Sequence, residues 1–520
     1  MPAMVSQTGV GSDTVAFPAH AHRKSIWTND VAILAYLAMA TVILHVLTGG
    51  RYGFHRDELA TFEDSRHLAW GYPAYPPLTP LFGRLSLLLF GTSLAGFRFF
   101  AALAQAIVLV LTGLMVRELG GRRGAQLVAA AAVAPFCIVN GALMQYVSFD
   151  DLFWVLTAYF LLRLLKSDDP RWWIAIGCAI GLGLQTKYTM LFFVTGLIVG
   201  ISAIQARRYL AGKWFWYGVA AALLIFLPNF LWQVRHGFIS LAFLRHIHAR
   251  DISIGRTQGF FPDQLKMTLL AFPLWMAGLV YYLFSRPAAR YRAMGWMYVV
   301  PLLLFVIGKG RGYYLAAAYP MLFAAGSVWG EQWLASLRRP WAVAVRTLAW
   351  AALIFDIAIS VAFTLPIARV NSAWWKVQNR VNGDLREEIG WPELVETVAG
   401  IRDSLPPQDR AGLGILAGNY GEAGAINLYG PKYGLPRAIS GINSFWQRGY
   451  GDSPPRTLIL VGISRRFMDL HFTGCQLAGH TWNRYGVKNE ETQDHPDIFV
   501  CRGLLDQSWP EFWKNFQYFG

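Results

Sequence analysis

The feature that most constrains this chain is a regular alternation of long apolar runs and short charged loops. Each run approaches the roughly 20 residues that a helix needs to cross a hydrocarbon layer about 30 Å thick. The alternation therefore predicts about eleven membrane-spanning helices, the smaller runs being accommodated by tilt and burial in a bundle. These predicted spans cover residues 31–50, 94–116, 125–143, 149–165, 172–186, 189–205, 214–232, 266–284, 294–308, 313–335 and 341–365.

The charged loops orient this predicted bundle. Lysine and arginine clusters occupy alternate loops, and such clusters mark the cytoplasmic side of a membrane protein. An odd number of spans then places the last 150 or so residues on the opposite side. The sequence predicts a cytoplasmic tail (1–30), an all-α polytopic transmembrane bundle (31–365) and an extracytoplasmic α/β domain (366–520). The clusters are Arg23/Lys24, Arg117/Arg122/Arg123, Lys166/Arg171, Arg207/Arg208/Lys213, Arg286/Arg290/Arg292 and Arg338/Arg339.

Composition excludes two broad classes of protein. A chain that is 55% hydrophobic and only 15% charged is not an ordinary soluble domain. The net charge of +15 would suit a nucleic-acid binder, but the cytoplasmic loops account for much of it. We therefore expect a lipid bilayer as the surrounding medium and no nucleic-acid partner.

After residue 366 the pattern becomes that of a small α/β domain. Apolar residues at helical spacing predict one helix, and three short β-rich runs bounded by Gly, Pro and Asp predict strands. Cys475 and Cys501 both fall in this domain, where an oxidising compartment would permit a disulfide, although spacing leaves its geometry open. The helical face comprises Trp391, Leu394, Val395, Val398 and Ile401, and the strands cover 413–417, 457–463 and 497–500.

Acidic residues gather in the first external loop, directly after the first span. Asp57 and Glu58 lie just beyond the hydrocarbon, where adjacent carboxylates are unfavourable unless paired or hydrated. One of them could serve as a general base for an acceptor hydroxyl, or the two could be a solvated pair on a juxtamembrane helix. His55, Glu63, Asp64 and His67 have the residue types of metal ligands, but their spacing matches no specific metal motif. A divalent metal is therefore left open as a cofactor.

Cations collect at the same boundary of the bundle. Lys187 stands between two strongly apolar runs, so its ammonium must face a lipid headgroup or the phosphate of a bound lipid. Lys309 and Arg311 repeat this arrangement beside glycines. The loop 233–265 adds Arg245 and several other cations, contrary to the positive-inside tendency. A phosphate-bearing substrate would explain them, as would partial snorkelling to headgroups.

A base and several cations at one boundary indicate a class of reaction. A leaving phosphate needs positive charge where its negative charge develops, and an acceptor hydroxyl needs a base on the opposite side of the transferred group. A lipid-linked phospho-sugar meets both requirements and explains why the catalyst lies in a membrane. Trp70, Tyr72 and Tyr75 could stack on the sugar, or they could belong to an interfacial aromatic belt.

Several short motifs, in order along the chain, carry a family resemblance. Residues 30–365 resemble the bacterial branch of the dolichyl-phosphate-mannose protein mannosyltransferase superfamily. That branch includes aminoarabinose and galacturonosyl transferases of the GT-C fold. The motifs are Asp57-Glu58, His67-Leu-Ala-Trp-Gly-Tyr72, Tyr75-Pro-Pro-Leu78, Arg98 between two Phe, Arg117-Glu-Leu-Gly-Gly121, Gly181-Leu-Gly-Leu-Gln-Thr-Lys187-Tyr188 and Lys309-Gly-Arg311-Gly-Tyr313-Tyr314 followed by Tyr319-Pro320.

The resemblance implies an inverting glycosyltransferase of the bacterial inner membrane that uses a polyprenyl-phosphate sugar donor and an envelope acceptor. It implies Asp57 as the catalytic base with Glu58 in support, and Lys187 and Lys309 as contacts of the donor phosphate. Many members have His where Tyr75 stands, so a role that depends on that His does not carry over. The predicted substrate-binding residues are Lys187, Tyr188, Lys309, Arg311, Tyr313, Tyr314, Tyr75 and Arg245.

Two other classes of function remain open at this stage. A transporter or flippase of lipid-linked sugars usually has ionisable residues near the bilayer midplane and two halves of similar hydropathy, neither of which is evident here. A binding or scaffold protein acting through the external domain would require the membrane motifs to be vestigial. The sequence names neither the sugar nor the acceptor, which could be lipid, glycan or protein.

Overall fold

The computed structural model describes residues 30–520, so the predicted cytoplasmic tail lies outside it except for Asp30. All eleven predicted runs are helical over most of their length. The helices of this part are α1 (Asp30–Thr48), α2 (Arg56–Arg66), α3 (Leu78–Phe90), α4 (Leu94–Glu118), α5 (Arg123–Asn140), α6 (Tyr146–Ser167), α7 (Trp172–Leu184), α8 (Met190–Ser202), α9 (Lys213–Arg235), α10 (Ile239–Ser253), α11 (Phe260–Thr268), α12 (Phe272–Phe284), α13 (Arg292–Ile307), α14 (Tyr319–Ser336) and α15 (Arg339–Thr364).

Fewer of these helices than predicted have the length and composition of a membrane span. Seven of the described helical segments qualify, or up to eight if the bent pair Met190–Ser202 and Gln205–Ala211 is one span. Helices α3 and α7 are apolar but have only 13 residues each. Helix α6 has 22 residues, but its first turns contain the buried carboxylates Asp150 and Asp151. The number of eleven spans therefore stays a prediction.

Glycines let several of these helices approach closely. A Cβ atom on Gly177 of α7 would lie 1.9 Å from the carbonyl oxygen of Gly218 in α9. Likewise, a Cβ atom on Gly278 of α12 would lie 2.0 Å from the carbonyl oxygen of Leu322 in α14. Small residues at such crossings let backbones pack directly, which is the usual way that helices associate where the hydrophobic effect is absent.

The C-terminal part is built around a five-stranded sheet in the order β2-β1-β3-β6-β5. Strands β1, β2 and β3 are parallel, and β6 and β5 continue the sheet in antiparallel fashion. The strands are β1 (Leu413–Ala417), β2 (Ala438–Ile439), β3 (Thr457–Val461), β4 (Phe472–Thr473), β5 (Gln476–His480), β6 (Asp497–Cys501) and β7 (Gly503–Leu504), with β4 and β7 forming a separate pair. The helices are α16 (Ala373–Val381), α17 (Trp391–Ser404), α18 (Pro407–Arg410), α19 (Tyr420–Tyr429), α20 (Asn443–Gln447), α21 (Arg465–His471), α22 (Glu490–Gln493) and α23 (Trp509–Asn515).

The local predictions for this part match the structure. The apolar face predicted from Trp391 to Ile401 lies on α17, and all five of its residues are buried. The three predicted strands are β1, β3 and β6, with end points that differ by two residues or fewer. Cys475 and Cys501 form the disulfide that the spacing had left open.

Helix α2 lies between the membrane bundle and the C-terminal part, and charged pairs hold it on both sides. On the bundle side, Glu58 pairs with Arg98 of α4. On the other side, Arg56 pairs with Glu490, Glu491 and Glu387. The acidic residues at the far end of α2, Glu63 and Asp64, bind Arg437 and Arg448 respectively. The helix that follows the first span is therefore fixed by groups from distant parts of the chain.

More carboxylates than cations surround α2 at this junction. Burial raises the pKa of Glu422 to about 8 and that of Glu491 to about 7, and neighbouring carboxylates contribute in both cases. Burial likewise raises the pKa of Glu388 to about 7, although Arg98 opposes the shift. At neutral pH the junction therefore retains protons that the unfolded chain would release.

These raised pKa values predict that the folded protein loses stability as pH rises from about 5 to 8. The folded state binds more protons than the unfolded state in this window, so each titrating carboxylate lowers stability by about 1.4 kcal/mol per pH unit. Thermal unfolding of the detergent-purified protein across this range measures the slope. Glu422→Gln should flatten the slope, whereas Glu511→Gln, a change at an exposed carboxylate whose pKa is lowered by Ser508, should not. Stability that rises with pH would contradict the prediction.

Candidate functional site

Asp57 lies in the first turn of α2 with its carboxylate facing outward. The turn is closed by a capping box, in which the His55 ring accepts from the Asp57 backbone N–H and Glu58 accepts from the His55 backbone N–H. The Asp57 side chain is 46% exposed. Its Oδ2 atom accepts a hydrogen bond from Gln145 Nε2 at 3.1 Å, and its Oδ1 atom accepts from the Tyr420 hydroxyl at 2.9 Å. A carboxylate held in this way remains open to a substrate hydroxyl.

Glu58 is in the opposite situation and needs a correction to its predicted role. Its side chain is completely buried, and its two oxygens accept from Arg98 Nε at 2.9 Å and Arg98 Nη2 at 2.6 Å. The backbone N–H groups of His55 and Met144 also donate to it. With four donors and no exposed surface, Glu58 cannot contact a substrate. Its support of Asp57 is therefore structural, through the position of α2.

Lys187 is surrounded by aromatic rings. Its Nζ atom lies 4.2 Å from the ring centroid of Tyr314, 4.7 Å from that of Tyr146 and 5.5 Å from that of Tyr313. Cation–π contacts of this kind hold an ammonium without neutralising its charge. Within residues 30–520 no side chain forms a hydrogen bond or an ion pair with this ammonium. It remains able to bind an anion.

In the structure, Asp57 and Lys187 contact neighbouring residues of one segment. Gln145, which donates to Asp57, is followed directly in the chain by Tyr146, whose ring contacts Lys187. The base candidate and the phosphate-binding candidate are thus separated by the side chains of two consecutive residues, at the start of α6. The first residues of α6 and its N-cap therefore connect the two candidate groups of the site.

Arg311 joins this group through a tyrosine. Its guanidinium donates to Tyr313 through Nη1 at 3.2 Å and forms a bidentate ion pair with Asp251 of α10 at 2.5 and 2.7 Å. Asp251 is buried and fixes the orientation of Arg311, which keeps part of its surface exposed. A guanidinium fixed in this way still presents positive charge toward the rings around Lys187.

Two of the predicted cations do not join this group in the structure. Lys309 is exposed two residues after the end of α13, and Arg245 is exposed on α10. Neither side chain forms a hydrogen bond or an ion pair with another described residue. Their roles as phosphate contacts remain predictions that the geometry does not support.

The two remaining tyrosines of the predicted set are bound to polar neighbours. Tyr75 donates to Asp64 Oδ2 at 2.7 Å, and its ring centroid lies 6.3 Å from that of Tyr146. Tyr188 donates to Asn229 Oδ1 at 3.0 Å and accepts from Gln233 Nε2 at 2.9 Å, so its hydroxyl points to α9. Tyr75 thus packs beside Tyr146 of the site, whereas the hydroxyl of Tyr188 is bound to α9.

The acidic and histidine residues considered as metal ligands have other partners. Asp64 accepts from Tyr75, Ser444 and Arg448, and Glu63 accepts from Asn427 and Arg437. In the part of the chain that the structure describes, no three His, Cys, Asp or Glu side chains form a group that could hold a metal ion. The suggested set of His55, Glu63, Asp64 and His67 does not form such a group, and a divalent cofactor stays a prediction.

Four residues of the site were not identified from the sequence: Asp251, Gln145, Tyr146 and Tyr420. Asp251 was passed over because the loop around it is dominated by cations. Gln145 and Tyr146 lie at the start of α6, outside every motif quoted in the sequence analysis. Tyr420 lies in the C-terminal part, 363 residues from Asp57. Hydrophobic periodicity and local spacing do not connect two residues so far apart in the chain.

Comparisons with known proteins agree with this architecture. The family model for dolichyl-phosphate-mannose-protein mannosyltransferase matches residues 74–232. Lipid A galacturonosyltransferase RgtD of Rhizobium johnstonii is 26% identical over 304 residues, which are 55% of this chain and 62% of that protein. The match thus spans less than two thirds of this relative's length.

The overall fold is similar to that of ArnT from Cupriavidus metallidurans. The apo structure of ArnT superposes with a TM-score of 0.56 at 15% identity, over 91% of this chain and 97% of ArnT. The structure of ArnT bound to undecaprenyl phosphate gives a TM-score of 0.59 at 14% identity, over 91% of this chain and 98% of ArnT. At this identity the likeness shows the fold, a helical membrane bundle with a small C-terminal sheet region.

Proposed function

We propose that this chain, which is related to the aminoarabinose and galacturonosyl transferases of the GT-C superfamily, is itself a membrane glycosyltransferase. Its donor is a sugar linked to a polyprenyl phosphate, and its acceptor is an envelope lipid, glycan or protein. The reaction takes place at the extracytoplasmic face of the bacterial inner membrane, on the side where the C-terminal domain lies. The relatives' names support the donor class, since ArnT binds undecaprenyl phosphate.

The observation that carries this proposal is the pairing of Asp57 with Lys187 across Gln145 and Tyr146. Asp57 takes the proton of the acceptor hydroxyl, and the acceptor oxygen forms a bond to the anomeric carbon of the sugar. The bond between that carbon and the phosphate oxygen breaks, and its electron pair leaves with the polyprenyl phosphate. Lys187 and Arg311 stabilise the charge that develops on the phosphate. Attack opposite the leaving group inverts the anomeric configuration.

Turnover in a single compartment tests the proposal. The purified protein in detergent micelles is given a polyprenyl-phosphate sugar and an extract of envelope lipids, and mass spectrometry follows the release of polyprenyl phosphate. We expect acceptor-dependent release by the wild type and none by Asp57→Asn. No release with any acceptor fraction, together with vesicle-dependent movement of the intact donor, would instead favour a transporter or flippase.

The identity of the acceptor follows from a second experiment. Mass spectrometry of envelope glycolipids and glycoproteins from a deletion strain and its parent identifies the molecule that loses a sugar. Complementation with the wild-type chain should restore that sugar, whereas complementation with Asp57→Asn should not. An unchanged envelope would contradict the proposed acceptor class.

We expect Lys187→Met to weaken the binding of polyprenyl phosphate by about 10- to 100-fold, because a charged hydrogen bond contributes roughly 1.5–3 kcal/mol. Methionine keeps the length of the side chain within the three rings but removes the charge. Binding of undecaprenyl phosphate to the detergent-purified protein, followed by quenching of tryptophan fluorescence, measures the effect.

Two further variants control this experiment. Lys187→Arg should retain most of the affinity because the positive charge is kept. Lys309→Ala should change affinity less than Lys187→Met, since Lys309 lies outside the aromatic group. Unchanged affinity in Lys187→Met would assign Lys187 to anchoring at lipid headgroups.

A further inference from the structure

We propose that Tyr420 of the C-terminal domain is a positioning residue for Asp57, so that this domain completes the catalytic site. The inference rests on the proposed function, because it takes Asp57 to be the base. It goes further by giving the C-terminal domain a part in catalysis. The direct observation is the 2.9 Å hydrogen bond from the Tyr420 hydroxyl to Asp57 Oδ1.

The two oxygens of Asp57 are held from different parts of the chain. Gln145, at the start of α6, donates to Oδ2, and Tyr420, at the start of α19, donates to Oδ1. Each carboxylate oxygen can accept more than one hydrogen bond, so both remain able to receive a substrate hydroxyl. The pair of donors therefore sets the rotation of the carboxylate without blocking it.

The sheet topology explains why Tyr420 reaches this position. Strand β1 ends at Ala417, and the chain turns through Gly418 and Asn419 into α19. From β1 the chain goes to β2 on one side and later to β3 on the other, so β1 and β3 border the point where strand order reverses. In open α/β sheets this edge, at the carboxyl ends of the strands, is where ligands bind. Here α19, which begins at this edge, packs against α2.

Close packing between α19 and α2 fixes Tyr420 relative to Asp57. Asn419 and Glu422 form a capping box that defines the first turn of α19. Two glycines then face α2, and a Cβ atom on Gly424 would lie 2.8 Å from Cβ of Leu59. The backbones of the two helices therefore cross with no intervening side chain, and the hydroxyl of Tyr420 has little freedom to move away.

The Tyr420 hydroxyl remains a donor at working pH. Burial raises its pKa well above 10, and the charge of Asp57 adds to the shift. Four other ionisable groups face this contact. His55 Nδ1 lies 3.9 Å from Asp57 Oδ2, and Tyr146 approaches Asp57 from the bundle side. Arg56 and Glu490 act on Tyr420 through space. A neutral hydroxyl that donates to a carboxylate favours its ionised form.

Tyr420→Phe in the full-length protein tests the inference, because it removes the hydroxyl and keeps the ring. We expect kcat to fall about 10-fold or more and the acid limb of the pH profile of kcat/KM to move up by about one pH unit. The melting temperature should stay close to that of the wild type. The matched control is Tyr433→Phe, whose hydroxyl donates to the exposed Glu396 of the same domain, and we expect it to change neither quantity.

The outcomes separate this inference from the proposed function. If the wild type releases no polyprenyl phosphate, the proposed function fails first. If the wild type is active and Tyr420→Phe keeps both its kcat and its acid limb, the inference is overturned. A lower kcat with an unmoved acid limb also overturns it, since loss of structure alone would produce that result. Restored kcat and a restored acid limb in Tyr420→His, which can donate from its ring, would support it further.

Discussion

Replacing Asp57 by asparagine is expected to lower turnover by roughly 10²–10⁴-fold while the protein stays folded and binds its donor. The change removes the group that accepts the proton of the acceptor hydroxyl. Asparagine keeps the shape of the side chain, and its amide can still bond to Gln145 and Tyr420, since amide and hydroxyl groups both donate and accept. The rate should therefore fall without a large loss of stability.

Three measurements on Asp57→Asn make this test decisive. Single-turnover release of polyprenyl phosphate reports the chemical step, binding of undecaprenyl phosphate reports the donor site, and thermal unfolding reports the fold. Asp469→Asn, a change at an exposed carboxylate of α21, provides the matched control and should leave all three unchanged. Near-normal turnover in Asp57→Asn would remove this residue from the mechanism.

The second large effect concerns stability and arises from the buried pair of Glu58 and Arg98. Arg98 is also buried, and it donates to the carbonyls of Gly49 and Gly53 and pairs with Glu388 at 3.4 Å. Removing one member of a buried ion pair leaves the other charge uncompensated, which lowers stability by about 3–5 kcal/mol. We therefore expect Glu58→Gln and Arg98→Met each to reduce the free energy of unfolding by this order.

A double-mutant cycle checks this expectation. The combination of Glu58→Gln with Arg98→Met removes both charges of the pair, so it should be less destabilising than the sum of the single changes. The free energy of unfolding, followed by chemical denaturation in detergent, measures the four variants. Full additivity, or single losses below about 1 kcal/mol, would show that the pair contributes little to the fold.

Asp57 and Glu58 differ in exposure, and the sequence did not predict this difference. Both carboxylates stand in the same motif, and the motif alone assigned both to catalysis. On an α-helix, consecutive residues point about 100° apart, so only one of them can face the substrate. The capping box at His55 determines where the helix begins, and Arg98 of α4 determines which side of it faces the bundle. The second fact depends on a residue 40 positions away.

The surroundings of Lys187 also could not be predicted from the sequence. Two apolar flanks established that its ammonium must lie at a boundary facing negative charge or lipid. They could not reveal that Tyr146, Tyr313 and Tyr314 would surround it, because these rings come from segments more than 40 and 120 residues away. The tyrosines after Lys309, Tyr313 and Tyr314, were predicted to bind substrate, which stays a prediction, and the structure shows that both contact Lys187. Arg311 was predicted without its partner Asp251.

The sequence by itself determined the apolar helices of the bundle, the strands β1, β3 and β6, the buried face of α17 and a resemblance to dolichyl-phosphate-mannose-protein mannosyltransferases, whose family model matches residues 74–232. These features follow from local hydrophobic periodicity and from short motifs, which neighbouring residues encode. Only the tertiary structure decided that Asp57 faces outward, that Glu58 is buried against Arg98, and that Tyr420 reaches the base. Such contacts depend on how distant segments pack. Hydrophobic periodicity reports only local structure, so one sequence does not show which distant residues come into contact.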